Sequence, residues 1–227
     1  MTRKIARFLQ KIGVDNRFVS ILPDQVLVNN VRFSRFSRAK EDLFRESFPE
    51  VPVVRSKMFQ HLATRASRYL KNELKPRENV FLVKDDSCAG LTLYAVLEPY
   101  TRKYGINIFQ GESWDDIKGL EVGKVALPFD LDSEVENLLE KMLGGDKISL
   151  KSDEKYQDGY ELIYPLINVP HSWIHSGGED SFCKKKISDD SQNISFDLPH
   201  EMVEFFSTFI PDVREKMYKS ALFLREK

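Results

Sequence analysis

The stretch from Val80 to Arg102 constrains the fold most. Val80 to Lys84 is a short apolar run with the composition of a buried strand, and Leu91 to Arg102 has the length and residue types of a helix. Between them lies the tight loop Asp85-Asp86-Ser87-Cys88-Ala89-Gly90. The alternation continues downstream. Ile106–Phe109 reads as a strand, Trp114–Gly119 as a short turn or helix and Lys124–Pro128 as a strand. A helix then runs from Asp132 or Ser133 to Leu143, and Gly144-Gly145 ends it. Strands separated by helices predict an α/β protein with a parallel sheet.

A strand, a tight loop and a helix N-terminus form a site for phosphate, because unpaired N–H groups and the helix dipole both point at the anion. Asp85 and Asp86 reverse that logic. Their charges repel a triphosphate unless a metal ion lies between them, and the side chain of Asp86 obstructs the close backbone approach that glycine permits. Asp85, Asp86, Ser87, Cys88, Ala89 and Gly90 therefore read as a degenerate nucleotide loop. Asp130 and Asp132 on the next loop complete a candidate acidic cluster at the carboxyl ends of the strands. It serves either as a magnesium site or as N-caps and first-turn acids of two helices.

Upstream, Arg3–Ile12 predicts an amphipathic helix with Ile5, Phe8, Leu9 and Ile12 on one face. Gln25–Phe33 predicts a hairpin turning at Asn29-Asn30, and Arg35–Phe48 a helix. Met58–Leu74 carries Met58, Leu62, Ala66, Tyr69 and Leu70 at helical spacing, with Arg65, Arg68 and Lys71 on the other face. Pro49 and Pro52 mark a boundary, so residues 1–54 are expected to be a basic N-terminal extension and 55–227 one α/β domain. The chain closes with Lys147–Gly159 as a polar loop, Tyr160–Leu166 as a last strand, a polar irregular stretch, and helices over His200–Phe209 and Val213–Leu224.

The formal net charge of −1 conceals a split. Residues 1–79 hold 17 Lys and Arg against 8 Asp and Glu, and residues 80–227 hold 17 against 27. Such a balance fits a basic surface for nucleic acid or an acidic partner, or two halves that attract each other. Arg32, Arg35, Arg38 and Lys40 interleave with Phe33 and Phe36, a composition suited to phosphate contact and base stacking, or to a strand with Phe inward and Arg outward. With Arg65, Arg68 and Lys71 they are the candidate RNA-binding residues.

No run approaches the ~20 apolar residues of a membrane span, and the basic N-terminus precedes no apolar core of a signal peptide, so a cytoplasmic location with no membrane partner is expected. Two cysteines, Cys88 and Cys183, exclude a disulfide framework and a four-cysteine zinc site. His171 and His175 stand at helical i, i+4 spacing and could bind zinc with Cys183 or His200, but no second paired-ligand motif supports a metal, and none is expected. Ser176-Gly177-Gly178-Glu179-Asp180-Ser181 matches a phosphate-loop motif literally but lacks a preceding strand and a following apolar helix, so it reads as a turn.

Three segments in order, and the tail, resemble the PP-loop ATPases that thiolate tRNA. In VFLVKDDSCAGLTLYAVLEPYTRKYGINI, Asp85 stands at the first Ser of the family's SGGxDS, Asp86 and Ser87 at the two Gly, Ala89 at the Asp and Gly90 at the final Ser. KVALPFDLDSEVENLLEKMLGGD is similar to the strand and helix bearing GHNxDDxxETxLMNxxRGD. Pro128, Phe129 and Asp130 replace Gly-His-Asn, Asp132-Ser133 replace Asp-Asp, and Gly145-Asp146 is kept. YPLINVP is similar to the PLxxxPxxE segment, with His171 near the acidic position, and FFSTFIPDVREKMYKSALFL to the closing helix pair. The resemblance covers roughly residues 56–227. It implies a three-layer, Rossmann-like sheet of the PP-loop (adenine nucleotide alpha hydrolase-like) type.

The family's catalytic cysteines, which hold an iron–sulfur cluster in many members, lie before the GHN strand. Here Gln110–Gly123 contains none, and the terminal zinc ribbons are absent. The chain thus looks similar to the non-catalytic branch, such as subunit 2 of the cytoplasmic tRNA 2-thiolation complex. This implies no catalytic residue and no cofactor of its own. It also implies tRNA as a partner, and either a catalytic PP-loop paralogue or a second copy of itself. The alternatives are a remodelled metal- or nucleotide-dependent enzyme acting on a nucleotide or RNA, and a standalone RNA-binding protein.

Overall fold

The computed structural model describes residues 1–175, 182–183 and 197–225. Residues 1–54 hold α1 (Thr2–Lys11), β1 (Val19–Ile21), β2 (Val26–Val28), α2 (Val31–Ser34), α3 (Arg38–Ser47) and β3 (Val53–Val54). β1 pairs antiparallel with β2, and β2 parallel with β3. Ile5 and Leu9 of α1 share a core with Val19, Val26, Phe36 and Phe44, as the apolar spacing of α1 requires. The hairpin differs from the expectation: its strands are joined through Leu22–Gln25, and Asn30 caps α2 by accepting from Phe33 N at 2.9 Å. Asn30 is a strong capping residue, and this competing use of its side chain displaced the turn. Nor do Arg32–Phe36 form a strand with every Phe inward: Phe36 is buried, whereas Phe33 on α2 is 54% exposed.

The rest of the chain is α4 (Lys57–Glu73), β4 (Asn79–Val83), α5 (Cys88–Leu97), α6 (Tyr100–Lys103), β5 (Asn107–Gly111), β6 (Lys124–Ala126), α7 (Leu131–Gly144), β7 (Tyr156–Gln157), β8 (Tyr160–Ile163), α8 (His171–Ile174), α9 (Leu198–Ser207) and α10 (Val213–Arg225). Pro99 splits the single helix expected over Leu91–Arg102, since it brings no N–H and its ring crowds the preceding turn. The polar stretch after α7 is also more ordered than expected: it holds a 3₁₀ turn at Lys151–Asp153 and β7. Gly145 closes α7 with φ of 73°, a left-handed cap that glycine adopts freely.

The large sheet has the order β5-β4-β6-β8-β7, parallel except for the edge strand β7. Successive side chains alternate between its two faces. Val80 and Leu82 join the core beneath α4 and α5, and Phe81 joins the one on the opposite face with Val125 and Leu162. The chain leaves β4 for β5 on one side, then returns across β4 to β6. The carboxyl ends of β4 and β6 therefore meet at the topological switch point, where open α/β sheets bind ligands.

Candidate functional site

The loop after β4 closes on itself. Asp85 accepts the Ser87 N–H at 2.7 Å with one carboxylate oxygen and the Ser87 hydroxyl with the other. Ser87 caps α5 by accepting Gly90 N at 3.1 Å. Gly90 is required: a Cβ there would lie 2.3 Å from the Asp85 carbonyl oxygen. Helix N-termini attract anions through their unpaired N–H groups. At α5 one of those groups, Gly90 N, is taken by the Ser87 cap, and the Asp85 carboxylate that holds the cap sets a negative charge at the helix entrance.

Cys88, the first residue of α5, is bonded to Cys183, 95 residues away, with Cα atoms 5.8 Å apart. Sequence reading excluded a disulfide framework and did not foresee this single bridge. Two cysteines cannot make a framework, but one bridge needs only that the fold bring their Cβ atoms together. Phe182 makes that possible, with its ring 4.9 Å from that of Phe59 and its carbonyl accepting from Gln25 at 2.9 Å.

The loop after β6 is built differently. Asp130 is 2% exposed and caps α7, accepting from Ser133 N at 2.9 Å and the Ser133 hydroxyl at 2.8 Å. Its other oxygen lies 2.8 Å from His171 Nδ1. Burial pushes the Asp130 carboxyl up, yet the hydrogen bonds from His171 and Ser133 outweigh it and hold it below the usual carboxylate value. The same bond raises His171 above an ordinary imidazole. The His171 and His175 rings stack with centroids 4.1 Å apart, and His175 is pushed down by burial and by the charge on His171. Asp132 accepts His171 N at 2.7 Å and pairs with Arg214, whose guanidinium also meets Glu204 and the Ser207 hydroxyl. His200 Nδ1 lies 2.7 Å from Glu136, which raises its pKa as well. His171, Trp173, His200 and Arg214 line a cavity of about 680 Å³.

The acidic cluster thus serves the helix ends in the main: Asp85 holds Ser87, the cap of α5, Asp130 itself caps α7, and Asp132 is held by Arg214. The zinc candidate dissolves. Cys183 is in the disulfide, and the described residues contain no group of three His, Cys, Asp or Glu that could hold a metal. The Ser176–Ser181 motif lies outside the described residues. Sequence reading did not find Arg214, Glu204 or Glu136, whose roles arise from α7, α9 and α10 packing on one another and leave no local motif.

The candidate RNA residues do not converge. Arg38 pairs with Glu41, and Lys40 donates to the Gly13 carbonyl at 2.6 Å and the Arg35 carbonyl at 3.0 Å. Arg35 sits at φ 52°, just beyond α2, and Arg32 lies 6.0 Å from the Phe33 ring centroid. On α4, Arg65 covers Trp173 at 4.2 Å and bonds Glu215, Arg68 shares a second cavity with it, and Lys71 is exposed.

No family model matches the chain. It is 33% identical over 141 residues to a probable sulfurtransferase of Methanocaldococcus jannaschii, a stretch that is 60% of this chain and 40% of that protein. The chain therefore spans well under half the length of its curated relative. Its structure is similar to the U34-tRNA thiolase NcsA of Methanococcus maripaludis, solved with a 4Fe-4S cluster, at a TM-score of 0.56 and 13% identity over 74% of this chain and 79% of that one. The fold is of the PP-loop, Rossmann-like type.

A 4Fe-4S cluster needs several cysteine thiolates. The two cysteines of this chain are bonded to each other, so its residues do not fit such a cluster. No helix among the described residues is long and apolar enough to cross a membrane.

Proposed function

We propose that this protein acts in tRNA thiolation as a partner that binds tRNA, an active PP-loop thiolase, or both, and leaves the nucleotide chemistry to that thiolase. The similarity to a probable sulfurtransferase and the thiolase-type fold support the pathway. One observation carries the non-catalytic role: Asp85 accepts from the N–H and the hydroxyl of Ser87, the N-cap of α5, and so fixes a carboxylate at the helix entrance that a nucleotide phosphate would approach. Replacing several charge-assisted phosphate bonds by a fixed carboxylate forfeits ~1.5–3 kcal/mol each, enough to remove micromolar affinity for ATP. The test is 2-thiouridine content of tRNA, by mass spectrometry, in cells lacking the protein. Wild type and the Asp85→Ala/Asp86→Ala variant should both restore it. Tight magnesium-dependent ATP binding that this variant abolishes along with thiolation would overturn the reading.

A second reading has its own observation. A histidine whose Nδ1 is fixed by a buried carboxylate, beside a cavity, has the geometry of a general base. On that reading His171→Ala abolishes thiolation while tRNA and partner binding persist.

A further inference from the structure

The N-terminal unit carries a cleft that none of the residues singled out from sequence lines. It has a volume of about 670 Å³ and lies between α1 and the 3₁₀ turn Asn16–Phe18. Arg3, Arg7 and Gln10 face it from α1. They lie one helical turn apart on one face because Ile5 and Leu9 take the other into the core. Arg17 and Arg102 face it from the opposite wall.

The charges across this cleft do not cancel. Asp15 is the one carboxylate in its lining, and Arg17 already holds it through two bonds of 2.9 and 2.8 Å. Arg102 is engaged by Glu98. Arg3 and Arg7 are exposed, with no carboxylate partner among the described residues. Lys103, next in chain to Arg102, feels the imbalance: burial first and then the Arg102 charge hold its ammonium below the ordinary lysine range. It sits 5.1 Å from the Phe18 ring and 4.6 Å from that of Tyr100.

An aromatic surface adjoins the cleft. Phe33, 54% exposed, lies 5.3 Å from Phe18, with the Arg32 guanidinium over its ring at 6.0 Å from the centroid. Two unmatched arginines one helical turn apart suit successive phosphates, and an exposed ring flanked by arginine suits an unpaired base. A single free anion would use only part of it.

We propose that the cleft between α1 and the Asn16–Phe18 turn binds the phosphodiester backbone of RNA, with Arg3 and Arg7 on phosphates and Phe33 stacking an adjacent unpaired base. The identity of the RNA as tRNA rests on the function proposed above; the chemistry of the cleft does not. The grip thereby moves away from Arg38 and Lys40, which are spent on Glu41 and on backbone carbonyls.

The experiment is fluorescence anisotropy of a labelled tRNA transcript against the full chain over a range of salt. Arg3→Glu/Arg7→Glu should weaken binding by tenfold or more, and removing two phosphate contacts should make the salt slope shallower by about 1.4–1.8. Lys57→Glu/Lys147→Glu changes net charge equally, at exposed positions outside the cleft, and should bind nearly as wild type. Phe33→Ala should cost about fivefold or more. Arg3→Gln/Arg7→Gln, with unchanged thermal melting, keeps the result independent of folding.

Equal effects of the two double-Glu variants, or no effect of either, would overturn the proposal, as would tripolyphosphate competing as well as RNA. So would ribonuclease-resistant capture of an acidic protein through Arg3 and Arg7 with no RNA bound. Cleft-dependent RNA binding with normal 2-thiouridine in cells lacking the protein would sink the functional reading and spare the cleft. Protein-dependent thiolation with RNA binding unaltered by Arg3→Glu/Arg7→Glu would do the reverse.

Discussion

Two helix N-termini stand on adjacent strands at the switch point, and each is filled from within by different chemistry. At α5, Asp85 and Ser87 close the loop through short-range bonds, and the Cys88–Cys183 bridge pins it covalently. At α7, Asp130 caps the helix and is satisfied at long range by His171, on a segment that follows β8. The first end is locked by local sequence and one covalent bond. The second is held by a protonatable contact. Anion-ready helix ends can thus be retired in two ways, and only the second keeps a response to pH.

Breaking the covalent lock should have the largest effect. Closing a loop of 95 residues restricts the unfolded chain by up to about 4.7 kcal/mol. Cys183→Ser is therefore expected to lose about 2–4 kcal/mol in denaturant titration, and reductant should bring wild type to the same midpoint. If reductant leaves the wild-type midpoint where it was, the two ends do not differ in this way.

Removing the buried cap comes next. Asp130→Ala takes an N-cap and the partner of His171 together, and should cost about 2–3 kcal/mol while normalising the His171 pKa, read by NMR titration. An unchanged histidine titration would show that Asp130 does not set it. Gly90→Ala sharpens the other side. Its Cβ would meet the Asp85 carbonyl at 2.3 Å, so the loop must shift, with an expected loss of about 1–3 kcal/mol in thermal melts. Wild-type stability for this variant would mean that the α5 loop is looser than the α7 cap.

The smallest expected effect is pH. His171 and His200 have raised folded pKa values, through Asp130 and Glu136 respectively. Their contribution is full below the unfolded value of ~6.5 and is lost as pH rises through the folded values. His175, lowered by burial and by His171, works in the opposite direction: its contribution is present above ~6.5 and lost as pH falls. Both raised histidines are about half exposed, so screening keeps the net below about 1 kcal/mol. Melting temperature should fall slightly between about pH 6 and pH 8, and His171→Gln/His200→Gln should flatten the fall. A fall that persists in that variant would place the pH response elsewhere.

Much of the body was legible in sequence because its signals are local. The apolar core of Val80–Val83, the spacing of Leu62, Ala66 and Leu70, and the glycine after α7 each act within one or two turns of chain, and β4, α4 and the end of α7 lie close to where those residues place them. Asn29-Asn30 misled because asparagine serves a turn and a helix cap equally well, and only the packing of α2 against the Asn16–Phe18 turn chose between them. The site was half legible. Asp85, Asp130 and His171 announced themselves by type and position, whereas Arg214, Glu204 and Glu136 belong to no motif.

The sequence by itself determined that strands alternate with helices, that the loop after β4 carries acids where a phosphate site needs glycine, and that positive charge concentrates before residue 80. These follow from composition and short-range periodicity. Only the tertiary structure decided that Cys88 meets Cys183, that Asp130 is satisfied by His171, and that Arg3 and Arg7 face a cleft while Arg38 and Lys40 are spent internally. Each of those outcomes depends on which elements pack side by side. Chain collapse settles that through the whole core, and no segment encodes it alone.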